Sequence, residues 1–111
     1  MPMLDLRPAW LETVRRLLAL HLPDAEVWAY GSRVNGTAHE GSDLDLVARN
    51  PVDLNLRQSS LSDLREAFSE SDLPILVDIL DWALIPESFH QEVVHGGIVV
   101  VQGAKGSGHG G

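Results

Sequence analysis

Gly31-Ser32-Arg33-Val34-Asn35-Gly36-Thr37-Ala38-His39-Glu40-Gly41-Ser42-Asp43-Leu44-Asp45-Leu46 is the stretch on which the fold turns. Before it, Ala25 to Tyr30 is a short apolar run with the character of a buried strand. After it, Leu44 to Ala48 is a second. Between the two, Gly31 to Gly41 holds three glycines, a serine and a threonine, which predict a turn, a short helix and a loop. Gly31 lets the backbone turn sharply and approach a ligand closely. Ser32, opening the helix, offers its hydroxyl and backbone N–H groups to phosphate oxygens. Side chains alternate along a strand, so Asp43 and Asp45 point one way while Leu44 and Leu46 enter the core. Two converging carboxylates repel one another and raise one of their pKa values unless a divalent cation sits between them. Hard oxygen donors of this kind suit Mg2+ or Mn2+, ions that also bind nucleotide phosphates.

Outward from this stretch, Trp10, Leu11, Val14, Leu17, Leu18 and Leu22 recur at helical spacing between Pro8 and Pro23, with Glu12, Arg15 and Arg16 on the opposite face. Pro8 is tolerated in a first turn, and Pro23 has no N–H to extend the ladder. Pro51 to Ser59 is a connector. Ser60 with Asp63 resembles a capping box opening a helix to about Ser71, with Leu61, Leu64 and Phe68 as its buried stripe. Leu73 to Leu80 reads as a third strand, in which Asp78 shares a face with Leu76 and Leu80. An unpaired carboxylate there is costly to bury. If this strand lies beside the second, Asp78 completes a three-carboxylate cluster able to hold two metal ions, one activating an attacking hydroxyl and the other stabilising the departing oxygen. Asp81 is odd in register with Asp78 and should face the other way. A helix over Pro86 to His95, carrying Phe89 and Val93, ends at Gly96-Gly97. Ile98 to Val101 is the last strand. One domain is expected over residues 1–102, followed by a flexible glycine-rich tail over 103–111.

Composition narrows the function. A chain of 111 residues with 44% hydrophobic and 22% charged residues has the make-up of one folded domain. It has no cysteine, which excludes disulfides, thiolate metal sites and cysteine nucleophiles. Sixteen acidic residues against eight basic ones leave a net charge of -8, which argues against direct binding to a nucleic acid backbone. No signal peptide or membrane span is visible, so a cytoplasmic protein without membrane contact is expected. The histidines lack metal-ligand spacing and read as surface residues, and Trp28, Tyr30 and Trp82 read as core aromatics. Gly31 to Gly36 has the glycine spacing of a P-loop without its Lys-Ser/Thr, and no Rossmann glycine pattern or calcium loop is present.

Gly31-Ser32, Asp43-Leu44-Asp45 and the downstream Asp78 together resemble the signature of the DNA polymerase beta-like nucleotidyltransferase superfamily. The short chain and the Gly-Ser-Arg form are most similar to its minimal nucleotidyltransferase (MNT) members, over about Trp10 to Val101. The resemblance implies an α/β fold, a mixed sheet of about four strands flanked by helices. It further implies binding of a nucleoside triphosphate such as ATP with two Mg2+ ions (or Mn2+), and transfer of a nucleoside monophosphate to an acceptor hydroxyl. Gly31 and Ser32 would hold the triphosphate, Asp43 and Asp45 would ligate both metals, and Asp78 would ligate the catalytic metal and assist deprotonation of the acceptor. Many relatives carry a second basic residue after Gly-Ser-Arg where this chain has Val34-Asn35, so phosphate contact rests on Arg33 and the metals. Pairing of Arg33 with one of the abundant carboxylates is the other use open to it. Many MNT proteins are further implied to be antitoxins of an all-helical HEPN ribonuclease, which they bind and adenylylate. Neutralisation by contact alone is the alternative, and the oligomeric state, a homo-oligomer included, stays open.

Overall fold

A computed structural model describes residues 3–103; most of the glycine-rich segment expected to form a flexible tail lies outside the described residues. Among the described residues four helices and four strands alternate: α1 (Pro8–His21), β1 (Glu26–Tyr30), α2 (Ser32–Asn35), β2 (Leu44–Arg49), α3 (Leu61–Glu70), β3 (Val77–Asp81), α4 (Glu87–His95) and β4 (Val99–Gln102), with a short 3-10 turn at Trp82–Leu84 before α4. The sheet is mixed, in the order β3-β2-β1-β4. β1 runs antiparallel to both β2 and β4, whereas β2 and β3 are parallel, joined by the crossover that contains α3. The expected α/β architecture, a mixed four-stranded sheet with flanking helices, is the observed one.

Strand alternation divides the core in two. Leu44, Leu46 and Ala48 of β2, Val27 and Ala29 of β1, and Val77 and Ile79 of β3 face α1 and α3, where Val14, Leu18, Leu61, Leu64 and Phe68 complete the larger cluster. Each fully buried leucine or isoleucine here contributes about 1.5–3 kcal/mol through removal of apolar surface from water. Trp28 and Val47 face the opposite way and pack with Trp82 and Val93 into a smaller cluster, edged by Tyr30, Leu80, Ile85, Phe89 and Ile98. This second cluster covers only part of its sheet face. The part left open holds the aspartates.

Three local expectations differ from the structure. β3 begins at Val77 rather than Leu73, because Pro74 has no N–H for a ladder; Leu73 and Ile75 still pack on the core from an irregular segment. Ser60 occupies the N-cap of α3 without a side-chain capping bond, so the capping box does not form. His90, read as a surface residue, has its ring stacked on Trp82 with centroids 3.8 Å apart, and its Nε2 lies 2.8 Å from the Trp82 carbonyl. At the end of α4 the left-handed residue is Gly97, with φ 92°, while Gly96 stays right-handed.

Candidate active site

The sheet register builds the site. Tyr30 ends β1 and pairs with Asp45, the second residue of β2. Asp45 pairs in turn with Asp78, the second residue of β3. Tyr30, Asp45 and Asp78 therefore stand in one row across three adjacent strands, about 4.8 Å per step. All three project on the face of Val47 and Leu80, since Leu44, Leu46, Val77 and Ile79 occupy the other. Asp43 lies one residue before β2, exposed, at the open end of the row. The condition on which a carboxylate cluster depended, β3 lying beside β2, is met.

Gly31 closes the row from the β1 side. Its φ of 82° and ψ of -152° belong to a region that side chains avoid. A Cβ placed there would stand 2.7 Å from Asp45 Oδ2. The backbone of the Gly-Ser turn thus passes against the carboxylate, and only glycine leaves room for both. Ser32 follows as the first residue of α2, part-exposed beside this junction. The amides of Val34 and Asn35 return to the Gly31 carbonyl at 3.0 Å each and fix the short helix.

The electrostatics are those of crowded anions. Burial, then Asp78, then Asp43 raise the pKa of the Asp45 carboxyl above its ordinary value. Burial, followed by the negative charges of Asp45 and Asp78, pushes the Tyr30 hydroxyl up to about 12, so Tyr30 stays neutral. Its ring is braced edge-to-face by Phe89 of α4, with centroids 6.0 Å apart. Tyr30, read from the sequence as a core aromatic, is therefore half-buried at the carboxylates. Its position directly before Gly31 is the sequence signal for that placement.

As donors the three aspartates suit a hard cation such as Mg2+, which keeps several waters and needs only one or two carboxylates beside the substrate phosphates. The mutual repulsion at Asp45 is of the kind a bound cation relieves. Among the described residues, however, no three acidic or histidine side chains stand close enough to enclose a metal ion unaided. The fit is that of an open site completed by substrate, not of a closed protein cage.

Two other charged residues have structural engagements. Arg33 is 3% exposed and, in place of the expected phosphate or carboxylate contact, its guanidinium donates to the backbone carbonyls of Asp5, His39, Glu40 and Ser42. Asp81 faces away from Asp78, as its register requires; its carboxylate accepts from the Gln58 amide at 2.8 Å and the Ala83 amide at 3.1 Å. It holds the connector and the 3-10 turn together. A groove of about 770 Å3 beside α4, lined in part by Leu54, Trp82, His90 and Val94, contains none of the three aspartates.

An open mixed sheet carrying Gly-Ser at the end of one strand and carboxylates paired across the next two is the arrangement expected of a nucleotidyltransferase. The family described as Nucleotidyltransferase domain matches residues 11–100. A protein of Haemophilus influenzae named "Probable protein adenylyltransferase MntA" is 46% identical over 101 residues, covering 89% of this chain and 84% of the relative. A crystal structure of a toxin-antitoxin with AMP-PNP superposes with a TM-score of 0.66 at 24% identity, over 86% of this chain and 74% of the other, and supports the fold. The chain belongs to the nucleotidyltransferase domain family, as one of its MntA-like, minimal members and an enzyme of that class. No described helix is long and apolar enough to cross a membrane.

Proposed function

We propose that this protein transfers a nucleoside monophosphate, AMP from ATP, to a hydroxyl on a protein partner in a reaction that depends on divalent metal, and that the partner is the helical HEPN toxin it neutralises. The observation that carries this proposal is the register Tyr30–Asp45–Asp78 with the Gly31 backbone held against Asp45. The name of the Haemophilus relative supports adenylylation of protein. The toxin-antitoxin neighbour, with its ATP analogue, supports the nucleotide and the kind of partner.

In this proposal Ser32 and the adjoining backbone orient the triphosphate, with Gly31 permitting its close approach. Asp43, Asp45 and Asp78 would hold Mg2+, or Mn2+, and a pair of such ions would neutralise phosphate charge and polarise the reacting oxygens. Asp78, the exposed member of the row, faces the acceptor and takes up its proton. The acceptor oxygen bonds to the α-phosphorus, and the bond from that phosphorus to the departing pyrophosphate breaks. Tyr30, neutral and braced, walls the site on the β1 side.

The test is transfer of label from ATP tagged at its α-phosphate, with Mg2+, in lysate of the source organism. Native protein is compared with the double variant Asp43→Asn, Asp45→Asn. Label on one discrete protein, only with the native form, is expected and identifies the acceptor. Nucleotide binding without any label, together with full neutralisation of the toxin by the double variant, replaces catalysis with neutralisation by contact.

A further inference from the structure

Arg33 lies in the Gly-Ser stretch, yet its charge is spent inside the protein. Nε donates to the Ser42 carbonyl at 3.0 Å, Nη1 to Asp5 at 2.8 Å, and Nη2 to Glu40 at 2.9 Å and His39 at 3.4 Å. Among the described residues no carboxylate forms an ion pair with it. A guanidinium has five N–H donors, and contacts to four carbonyls leave little for a phosphate. Pulling such a buried cation out of its carbonyl shell is costly. The side chain is therefore fixed where it lies, with Trp10 beside it at 5.9 Å from the ring centroid.

The carbonyls it holds belong to the loop that joins the two halves of the site. Arg33 sits one residue after Ser32, and the Ser42 carbonyl is one residue before Asp43. Within the loop the Ser42 amide donates to the His39 carbonyl and the His39 amide to Ser42 Oγ, each at 3.0 Å, so residues 39–42 form a closed turn docked on the guanidinium. Asp5 secures the other side, its amide donating to the Arg33 carbonyl at 2.7 Å. Asp43 lies outside β2 and lacks the sheet ladder that fixes Asp45 and Asp78. Its placement depends on this loop.

We propose that Arg33 is a positioning residue: by clamping the carbonyls of residues 39, 40 and 42 it sets Asp43 relative to Ser32 and so aligns the phosphate side of the site with its carboxylates. This assignment rests on the nucleotidyl-transfer function proposed above. Lysine cannot substitute, because its three donors radiate from one nitrogen whereas the planar fork reaches carbonyls on separate chain segments.

The experiment compares native protein with Arg33→Lys and Arg33→Met, full length. Backbone hydrogen exchange of residues 37–43, ATP affinity by titration, and kcat, KM and Mg2+ dependence of transfer are measured. Both variants are expected to exchange this loop about tenfold faster, to bind ATP within about threefold of native, and to lose about a hundredfold in kcat, since a misplacement near 1 Å costs that much. They are also expected to need more Mg2+ for half-maximal rate. ATP affinity falling tenfold or more with the loop unchanged would make Arg33 a phosphate ligand and overturn the proposal. A lower Tm with kcat, KM and Mg2+ dependence unchanged would reduce it to a structural residue and overturn it equally. If Arg33→Met fails to fold, Arg33→Lys decides alone. Absence of transfer by native protein defeats the proposed function, while loop exchange and ATP affinity still judge the clamp.

Discussion

Replacing Gly31 with alanine tests the close approach on which the site is built. Two costs arise and can be separated. The first is conformational: at φ 82° and ψ -152° a non-glycine residue is strained by about 1–3 kcal/mol. The second is steric. The new Cβ would stand 2.7 Å from Asp45 Oδ2, against the 3.4 Å at which ordinary contact begins, so the carboxylate must retreat by about 0.7 Å. Misplacement on the scale of 1 Å costs about a hundredfold in rate, and for a domain of this size each kcal/mol lowers Tm by about 4–8 °C. Gly36→Ala is the control, since Gly36 has φ 86° with nothing within 4 Å of an added Cβ; it carries about 1–2 kcal/mol of strain and no clash. Thermal unfolding and the rate of transfer from α-labelled ATP should therefore diverge: both variants lose stability, and only Gly31→Ala loses about two orders of magnitude in kcat. If Gly31→Ala transfers within threefold of native, or if Gly36→Ala loses as much as Gly31→Ala, contact between the turn and Asp45 does not govern catalysis and the assignment of the site is wrong.

Asp45→Asn should stabilise the metal-free protein at neutral pH. The folded carboxyl has a raised pKa, so its neutral form is favoured in the fold: its contribution to stability is full below the unfolded value and lost as pH rises through the folded one. After solvent screening at this half-buried position the gain is about 0.5 kcal/mol, or about 2–4 °C in Tm; it should vanish below pH 3.8, the ordinary value, and a gain that persists there would contradict the repulsion. Asp81→Ala strips the Gln58 and Ala83 amides of their acceptor and should cost about 2–3 kcal/mol in denaturant unfolding, with kcat unchanged below the lowered Tm; a lost kcat with stability intact would make Asp81 part of the site. Phe89→Ala removes the edge-to-face brace on Tyr30, worth about 0.5–1.5 kcal/mol beyond lost burial; calorimetry should record a larger loss in the native background than in Tyr30→Ala, and equal losses would mean the rings are uncoupled.

The sheet was legible where local chemistry repeats along the chain. Alternation put Leu44 and Leu46 on one face and Asp45 on the other, and the same rule placed Val77 and Ile79 opposite Asp78, so a row of carboxylates needed only adjacency of the two strands. Adjacency followed from the parallel crossover through α3. What the sequence hid are contacts between distant segments. Arg33 meets the Asp5 carbonyl across 28 positions and Asp81 meets Gln58 across 23, in each case a charged side chain satisfying backbone groups of an irregular segment. No periodicity encodes such a pairing, and Arg33 beside Gly-Ser invited the simpler assignment to phosphate. His90 was hidden likewise, because its stacking on Trp82 depends on a 3-10 turn that no hydrophobic pattern announces. Tyr30 lies between these cases: its apolar neighbours mark a strand and its place directly before Gly31 marks the end of that strand at the site, while the sheet register sets it opposite Asp45.

Charge sets the last condition on the reaction. The chain carries a net charge of -8, and the arginine of the Gly-Ser stretch is committed to loop carbonyls, while Arg7 beside it pairs with Glu40. Without a cation, ATP must approach Asp43, Asp45 and Asp78 against repulsion. For unit charges about 6 Å apart at an effective dielectric near 20, that is about 3 kcal/mol per pair. Halved by solvent screening, a single pair still weakens binding about tenfold. Chelation of divalent metal should therefore reduce ATP affinity by at least about tenfold in calorimetric titration. Asp45→Asn should have opposite effects in the two conditions, tightening ATP binding in chelator by relieving repulsion and weakening it in Mg2+ by removing a ligand. Affinity that ignores chelation, or an Asp45→Asn effect of the same sign in both conditions, would mean that the protein itself supplies the positive charge and that the carboxylate row is not where metal and nucleotide meet.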